Sequence, residues 1–191
     1  MVKNIVIVGV GGQGTLLTSR VLGSLTSTAG YDVKLSEVHG MAQRGGSVVT
    51  YVRYGDKVYE PIVEEGQADI LIAFEQLEAL RYAHYLKEDG VMIINDTKIA
   101  PMPVMLGMRE YPAHIIESLR TKYRVISAEA TERAIQMGNP KVFNLIILGL
   151  LASELEFTKE DWVKAIERCV PSHTLDVNLA AFEYGWQVCK L

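Results

Sequence analysis

The sequence predicts an α/β fold with a doubly wound, mostly parallel sheet, and three features of the chain indicate it. Residues 5–8 are β-branched and apolar without polar alternation, as in a parallel strand that is buried on both faces. Gly9, Gly11 and Gly14 then form a G-x-G-x-x-G turn that leads directly into residues with helical apolar spacing. Further apolar runs alternate with helical stretches along the chain. This order of strand, glycine turn and helix is typical of a Rossmann-like fold.

The first part of the chain is predicted to contain a βαβ unit followed by an inserted β-hairpin. The unit covers residues 3–38, and its second strand lies at residues 33–38. Residues 47–54 are rich in β-branched and aromatic side chains and predict a strand. After a turn at residues 55–57, residues 58–60 predict a short returning strand that completes the hairpin. The hairpin interrupts the alternation of strand and helix.

The rest of the sheet is predicted from apolar runs separated by helical stretches. The runs that predict buried parallel strands lie at residues 68–74, 91–95 and 124–127. The helices are expected at residues 75–86, 113–122 and 131–137. A proline-containing connection between two of these elements predicts a brief strand at residues 104–108.

The C-terminal part is predicted to be helical. Asn139 as N-cap and Pro140 as first residue begin a helix that is apolar almost all round as far as Ala152. Such a helix must be covered on every side, so it either runs through the core or lies against another subunit. Residues 158–161 resemble a capping box for the next helix, and residues 175–188 predict the last one.

Length and composition predict one domain over residues 1–191. The chain is 49% hydrophobic and 22% charged, as in an ordinary globular domain. Its formal net charge of −4 argues against general binding to nucleic acid. Residues 1–58 nevertheless contain six basic and three acidic side chains, so the end with the glycine turn is locally basic. That balance suits a ligand that carries phosphate, or a solvated surface of mixed charge.

The sequence also argues against a membrane span and a metal centre within this chain. The longest apolar run, residues 145–152, is too short to cross a bilayer. Cys169 and Cys189 are the only cysteines, so neither a zinc knuckle nor a cysteine-ligated iron–sulfur cluster can be built from this chain alone. Two thiols without a signal peptide indicate a reduced, cytoplasmic protein.

The first candidate binding site is a glycine loop, which comprises Gly9, Gly11, Gly12, Gln13 and Gly14. Backbone N–H groups at a helix start, the helix dipole and the lack of Cβ atoms favour the binding of a phosphate or another anion. Alternatively, the glycines only allow close packing of strand and helix. In a dinucleotide site an acidic residue near the end of the second strand holds the ribose, and Glu37 stands near that place.

The second candidate site is a second loop, residues 39–46, at the end of the second predicted strand. Arg44 stands beside Gly45 and Gly46, where it can hold a phosphate or a carboxylate against a backbone that a ligand can approach closely. Alternatively, this is a surface loop whose arginine pairs with a neighbouring carboxylate. His39 could act as an acid or a base, or be a structural or surface residue.

Both loops together resemble a known protein family. The chain has G-x-G-G-Q-G at the glycine loop, HGMAQRGGSV at residues 39–48 and VRYG at residues 52–55, followed later by the apolar helix at residues 144–150. These segments are similar to the gamma-type subunits of the 2-oxoacid:ferredoxin oxidoreductases, and within that family to the small (beta) subunits of the indolepyruvate enzymes. The resemblance covers nearly the whole chain, and the two loops in this order are more specific than either glycine pattern alone.

The resemblance implies a subunit of a heteromeric enzyme. Such an enzyme converts an aryl 2-oxoacid, coenzyme A and oxidised ferredoxin into aryl-acetyl-CoA, carbon dioxide and reduced ferredoxin. It uses thiamine diphosphate with magnesium and [4Fe–4S] clusters, which a large partner subunit is expected to hold. The resemblance assigns no catalytic residue to this chain. It implies that the glycine loop and Arg44 shape the acyl-transfer side of the site, with the phosphates of coenzyme A as the first anion to test, or brace the large subunit.

Two further hypotheses remain open from the sequence. Gly9, Gly11, Gly14 and Glu37 are compatible with an NAD(P)-dependent dehydrogenase that acts alone. The same glycine pattern is also compatible with a nucleotide-sensing module or a purely structural interaction module. The inserted hairpin weakens the dehydrogenase hypothesis, because a dinucleotide-binding domain continues from its second strand into a crossover helix.

Overall fold

A computed structural model of the protein describes residues 1–40 and 45–189, which form an α/β fold with a six-stranded mixed sheet. The strands are β1 (Val2–Val10), β2 (Asp32–His39), β3 (Ser47–Gly55), β4 (Ala68–Ala73), β5 (Leu86–Asn95) and β6 (Arg124–Ala128). Their order across the sheet is β2-β3-β1-β4-β5-β6. The predicted α/β class with a mostly parallel sheet is confirmed.

The parallel part of the sheet consists of β1, β4, β5 and β6, which pair in that order. Ile7 pairs with Ile72, Ile72 with Ile93, and Ile93 with Ile126, so one row of isoleucines crosses all four strands. Because these strands run in the same direction, their carboxyl ends meet at one edge of the sheet, which we call the carboxyl edge. Ligand-binding groups of α/β sheets gather at such an edge.

The predicted hairpin is wrong in its pairing. β3 does not turn back onto residues 58–60, which form no strand, but lies between β1 and β2 and is antiparallel to both. Val49 faces Val8 on one side and Val38 on the other. Most of β3 is buried, and two neighbouring strands satisfy its backbone groups better than one short strand could. The two strands of the predicted βαβ unit are therefore parallel but separated by β3.

The helices cover both faces of the sheet. They are α1 (Thr15–Thr28), α2 (Gln76–Tyr82), α3 (Met102–Met105), α4 (Ile115–Arg120), α5 (Ala130–Gln136), α6 (Phe143–Leu151), α7 (Lys159–Cys169) and α8 (Leu175–Val188). Ile5 and Ile7 point into the core under α1, α6 and α8, whereas Val6 and Val8 point into the core under α2 and α4. Burial on both faces explains the unbroken apolar sequence of β1.

Helix α6 runs through the core. Its nine residues are all buried within this chain, so they are covered without a second subunit. Asn139 accepts a hydrogen bond from the Lys141 N–H and caps the short turn that leads into it, as the sequence predicts. Against α8 the two backbones approach so closely that a Cβ atom at Gly185 would clash with the carbonyl oxygen of Ile146. Of the two positions that the sequence leaves open for this helix, the core of its own chain or a contact with another subunit, the structure shows the first.

The start of α7 agrees with the sequence prediction, whereas the connection after β5 does not. Thr158 and Asp161 form the predicted capping box at the start of α7. The brief strand predicted at residues 104–108 is wrong, because α3 begins at Met102 and a turn follows it.

No helix within residues 1–40 and 45–189 has both the length and the apolar character to cross a bilayer.

Candidate functional site at the carboxyl edge

The glycine loop lies beside Gly45 and Gly46, the described end of the second loop, at the carboxyl edge. The N–H of Gly11 donates a hydrogen bond to the carbonyl oxygen of Gly46 over 2.8 Å. This contact continues the antiparallel pairing of β1 with β3, in which Val10 faces Ser47. Because β3 is inserted next to β1, the two loops meet although 30 residues lie between Gly14 and Gly45 in the sequence. Arg44 lies outside the described residues.

Gln13 holds the glycine loop in shape. Its Oε1 accepts a hydrogen bond from the Val10 N–H over 2.7 Å, and its Nε2 donates to the carbonyl oxygen of Phe74 over 3.0 Å. The side chain thus ties the end of β1 to the end of β4, and both ends of its amide are used within the chain. The motif predicts a binding role for Gln13, and only the position of the side chain between two strand ends reveals this brace.

The glycines of the loop serve two different purposes. A Cβ atom at Gly9 would lie 3.2 Å from Cβ of Phe74, and one at Gly14 would lie 2.5 Å from Nδ2 of Asn144. At these two positions the absence of a side chain allows close packing. Gly12 has φ +100° but nothing within 4 Å of its Cβ position, so its backbone stays open to a ligand. Gly14, with φ +91°, immediately precedes helix α1.

The start of α1 offers free hydrogen-bond donors. Among the described groups, none accepts a hydrogen bond from the backbone N–H of Gly12, Gly14, Thr15 or Leu16. No acidic side chain lies in the first turn of this 14-residue helix. Unpaired N–H groups and the positive end of the helix dipole together favour an anion at this position.

A cavity of about 390 Å³ lies between the glycine loop and the start of α6. Its polar groups come from Lys141, Asn144 and Asn178, and its apolar wall includes Leu17 and Phe143. Asn144 is only 3% exposed, and its Oδ1 has no hydrogen-bond partner in the described structure. A buried polar atom without a partner is costly, so this amide favours a ligand that reaches it. The exposed ammonium group of Lys141 adds positive charge at the same cavity.

A second cavity, of about 380 Å³, lies on the β2 side of the glycine loop and is lined by Glu37 and His39. The carboxylate of Glu37 accepts hydrogen bonds from Thr50 over 3.3 Å and from Thr15 over 3.5 Å. It also lies 3.8 Å from Nδ1 of His39. This carboxylate repels a phosphate from the β2 side, so an anion is favoured on the α6 side of the loop. The side chain of Glu37 thus lies near the glycine loop, as the sequence indicates.

Two buried carboxylates beside this edge were not identified from the sequence. Glu75 and Glu78 are 1% and 2% exposed, at the start of α2. Glu78 accepts a hydrogen bond from the Ser47 hydroxyl over 2.5 Å and from Arg81 over 2.6 Å, which ties the start of β3 to α2. A glutamate directly after a buried strand is a signal for such a role, but helical periodicity alone places both residues on a solvated face.

Both cysteines are free and partly buried. Burial raises the pKa of the Cys169 thiol, which keeps it protonated at neutral pH. The thiol of Cys189 donates a hydrogen bond to the carbonyl oxygen of Leu150 over 3.6 Å. Within residues 1–40 and 45–189, no group of three or more His, Cys, Asp or Glu side chains could hold a metal ion.

Comparison with known proteins gives consistent matches over almost the whole chain. Residues 4–188 match the family described as pyruvate ferredoxin/flavodoxin oxidoreductase. The chain is 42% identical over 195 residues to indolepyruvate oxidoreductase subunit IorB of Thermococcus kodakarensis, covering 98% of this chain and 96% of that protein. It is 30% identical over 198 residues to 2-oxoglutarate synthase subunit KorC of Methanocaldococcus jannaschii, covering 100% and 95%.

A solved structure has the same fold. The gamma subunit of keto/oxoacid ferredoxin oxidoreductase from Geobacter sulfurreducens superposes with a TM-score of 0.74 at 24% identity, covering 98% of each chain. At this identity the similarity supports the fold alone. The dehydrogenase hypothesis gains no support from these relatives.

Proposed function

This chain belongs to the pyruvate ferredoxin/flavodoxin oxidoreductase family, and we propose that it is the small subunit of a heteromeric enzyme that oxidises indolepyruvate or a similar aryl 2-oxoacid. The observation that carries the proposal is the 42% identity to an indolepyruvate oxidoreductase subunit over 98% of the chain. The lower identity of 30% to a 2-oxoglutarate synthase subunit favours the aryl substrate. In the proposed assembly, residues 1–191 form one domain of a cytoplasmic complex.

The redox cofactors are assigned to a large partner subunit. The family belongs to complexes that use thiamine diphosphate and iron–sulfur clusters. This chain has only two cysteines, and a [4Fe–4S] cluster requires four thiolates, so its own residues do not fit such a cluster. Thiamine diphosphate with magnesium supplies the decarboxylation chemistry, and the clusters pass electrons to ferredoxin. The small subunit contributes binding and orientation, with no catalytic residue of its own.

The glycine loop is assigned to the phosphates of coenzyme A. The proposed site keeps Gly9, Gly11, Gly12, Gln13 and Gly14, together with Arg44, Gly45 and Gly46 of the second loop. Within it, Gly9 and Gln13 shape the loop, the free N–H groups at the start of α1 bind the anion, and Lys141 adds charge on the α6 side. The carboxylate of Glu37 disfavours the opposite side.

The experiment is a steady-state assay of the complex made by co-expression with the large subunit. Oxoacid-dependent reduction of ferredoxin or viologen that requires both chains supports the assembly. Lys141→Glu is expected to raise KM for coenzyme A by about tenfold, because the reversed charge costs more than 1 kcal/mol of binding, and to leave KM for the oxoacid unchanged.

Lys122→Glu is the matched control, because Lys122 is exposed and precedes β6 at the opposite edge of the sheet. Equal effects of the two reversals would overturn the assignment of coenzyme A to this loop. Failure of the two chains to associate would overturn the proposed function itself.

A further inference from the structure

The connection after β5 carries an unusually apolar, exposed segment, residues 99–108, which we call the apolar arm. It contains no charged residue. Its large apolar side chains are mostly in solvent, with exposures of 38% at Ile99, 65% at Met102, 70% at Met105, 65% at Leu106 and 72% at Met108. Helix α3, at its centre, has no buried residue. The arm therefore contributes little to the core of this chain.

The arm is nevertheless a formed structure. The N–H of Met105 donates to the carbonyl oxygen of Pro101 over 3.0 Å, and the N–H of Leu106 donates to that of Met102 over 3.0 Å. The N–H of Met108 donates to the carbonyl oxygen of Pro103 over 2.9 Å and closes the turn. These bonds hold the backbone of the arm without help from side-chain packing. A preformed element loses less conformational entropy when it binds a partner.

A buried carboxylate holds the first residue of the arm and Tyr111, which follows the arm in the chain. Oε1 of Glu75 accepts hydrogen bonds from the Ile99 N–H over 3.0 Å and from the Tyr111 hydroxyl. The Tyr111 oxygen in turn accepts a hydrogen bond from the Leu77 N–H over 3.0 Å. Glu75 is 1% exposed, and its other oxygen accepts from the Glu78 N–H. Burying a carboxylate is costly unless it is well paired, so this clamp indicates that the direction of the arm matters.

The clamp is also connected to the glycine loop. The carbonyl oxygen of Phe74, next to Glu75 in the chain, accepts hydrogen bonds from Gln13 over 3.0 Å and from Asn95 over 3.2 Å. The arm leaves the carboxyl end of β5, and the glycine loop leaves the carboxyl end of β1, so both stand at the carboxyl edge. A partner that brings cofactors to the glycine loop approaches the same edge as the arm.

We propose that the apolar arm docks into an apolar groove of the large subunit, an inference that rests on the proposed heteromeric assembly. Five large apolar side chains of the arm are 38–72% exposed, and together they form an apolar patch of the kind that marks a protein–protein contact. Methionine is enriched in interfaces and charged residues are depleted from their centres, which matches the composition of the arm. Its position at the same edge of the sheet as the glycine loop favours the cofactor-bearing subunit over a second copy of this chain.

The test measures the dissociation constant between the full-length small chain and the purified large subunit. The double variant Met105→Ser with Met108→Ser is expected to raise the dissociation constant at least about tenfold, because it removes two apolar side chains from a contact that excludes water. The matched control is Tyr59→Ser with Ile62→Ser. These side chains are 87% and 43% exposed and follow β3 at the opposite edge, and their replacement is expected to change the constant by less than about twofold.

Tyr111→Phe tests the positioning role of the clamp, because it keeps the ring and removes the hydroxyl that bonds to Glu75. It is expected to weaken association less than the double variant and to speed hydrogen exchange of the amides of residues 105–108. Unchanged exchange in this variant would contradict that role.

Three outcomes would overturn the docking inference in distinguishable ways. Equal dissociation constants for the arm variant and the control would reject the arm while leaving the assembly intact. A wild-type chain that does not bind the large subunit would reject the assembly and the docking together. A dimer of the small chain alone that the arm variant abolishes would assign the surface to a second copy.

Discussion

The glycine loop and the apolar arm stand at the same edge of the sheet, yet the chain treats them in opposite ways. The glycine loop is held by its own fold, since Gln13 is bonded at both ends and Gly14 is packed against Asn144. The arm is tied at its first residue and through Tyr111, which follows it in the chain, and its apolar side chains point into solvent. Gly9 and Gly14 thus take part in contacts that are completed inside the subunit, whereas the exposed methionines of the arm offer a contact that needs another protein.

The largest expected effect comes from a substitution that disturbs the close packing of α8 against α6, on the glycine-loop side of the fold. Gly185→Ala would raise helix propensity by about 1 kcal/mol. A Cβ there clashes with the backbone of α6, so we expect the unfolding free energy to fall by about 3 kcal/mol instead. Urea denaturation followed by circular dichroism measures the change in unfolding free energy. An increase would show that helix propensity dominates, and a decrease would show that packing dominates.

Gly23→Ala is the matched control in another helix. A Cβ at Gly23 would lie 3.1 Å from Cδ1 of Leu35, a partly exposed side chain that can move. We expect the unfolding free energy of this variant to exceed that of the wild type by no more than about 1 kcal/mol. A Gly185 variant as stable as this one would show that α6 and α8 are not packed as described.

A smaller effect separates the two kinds of glycine within the glycine loop. Gly14→Ala adds left-handed backbone strain and a contact with the buried Asn144, so we expect a loss of about 2 kcal/mol of unfolding free energy. Gly12→Ala adds backbone strain without a neighbour and is expected to cost about 1 kcal/mol. Thermal unfolding of the two variants side by side measures the difference. If both lose the same stability, Asn144 is not the packing partner.

The smallest expected effect concerns the clamp of the arm at alkaline pH. Burial, and then the hydrogen bond to Glu75, raise the pKa of Tyr111. The unfolded tyrosine ionises near pH ~10 while the folded one stays neutral, so this contribution to stability is complete below that pH and decreases as the pH rises above it. The pKa values of Tyr51 and Tyr54 are also raised by burial, and they act in the same direction.

Urea denaturation of the wild type and of Tyr111→Phe at a series of alkaline pH values measures this contribution. We expect the wild type to lose stability more steeply with rising pH than the variant, with a residual slope in the variant from the two remaining tyrosines. Equal slopes would show that the Tyr111 hydroxyl is not buried against Glu75.

The sequence by itself determined the strands of the parallel sheet, the final helix and the family. Apolar runs without alternation identify strands buried on both faces, and the helix predicted at residues 175–188 has the bounds of α8. These features are local, since side-chain periodicity and capping residues act over a few neighbours. The two glycine-bordered loops carried the resemblance for the same reason, because each is a contiguous motif.

Only the tertiary structure decided the partners of these elements. It placed β3 between β1 and β2, put α6 in the core, gave Gln13 its brace and turned Glu75 into a clamp. Each of these depends on groups that lie 24 to 61 residues apart in the sequence or on the choice between alternative neighbours, which a short-range pattern does not encode. The arm is a further example. An apolar stretch is expected to be buried, and only the fold shows that this one is exposed to solvent.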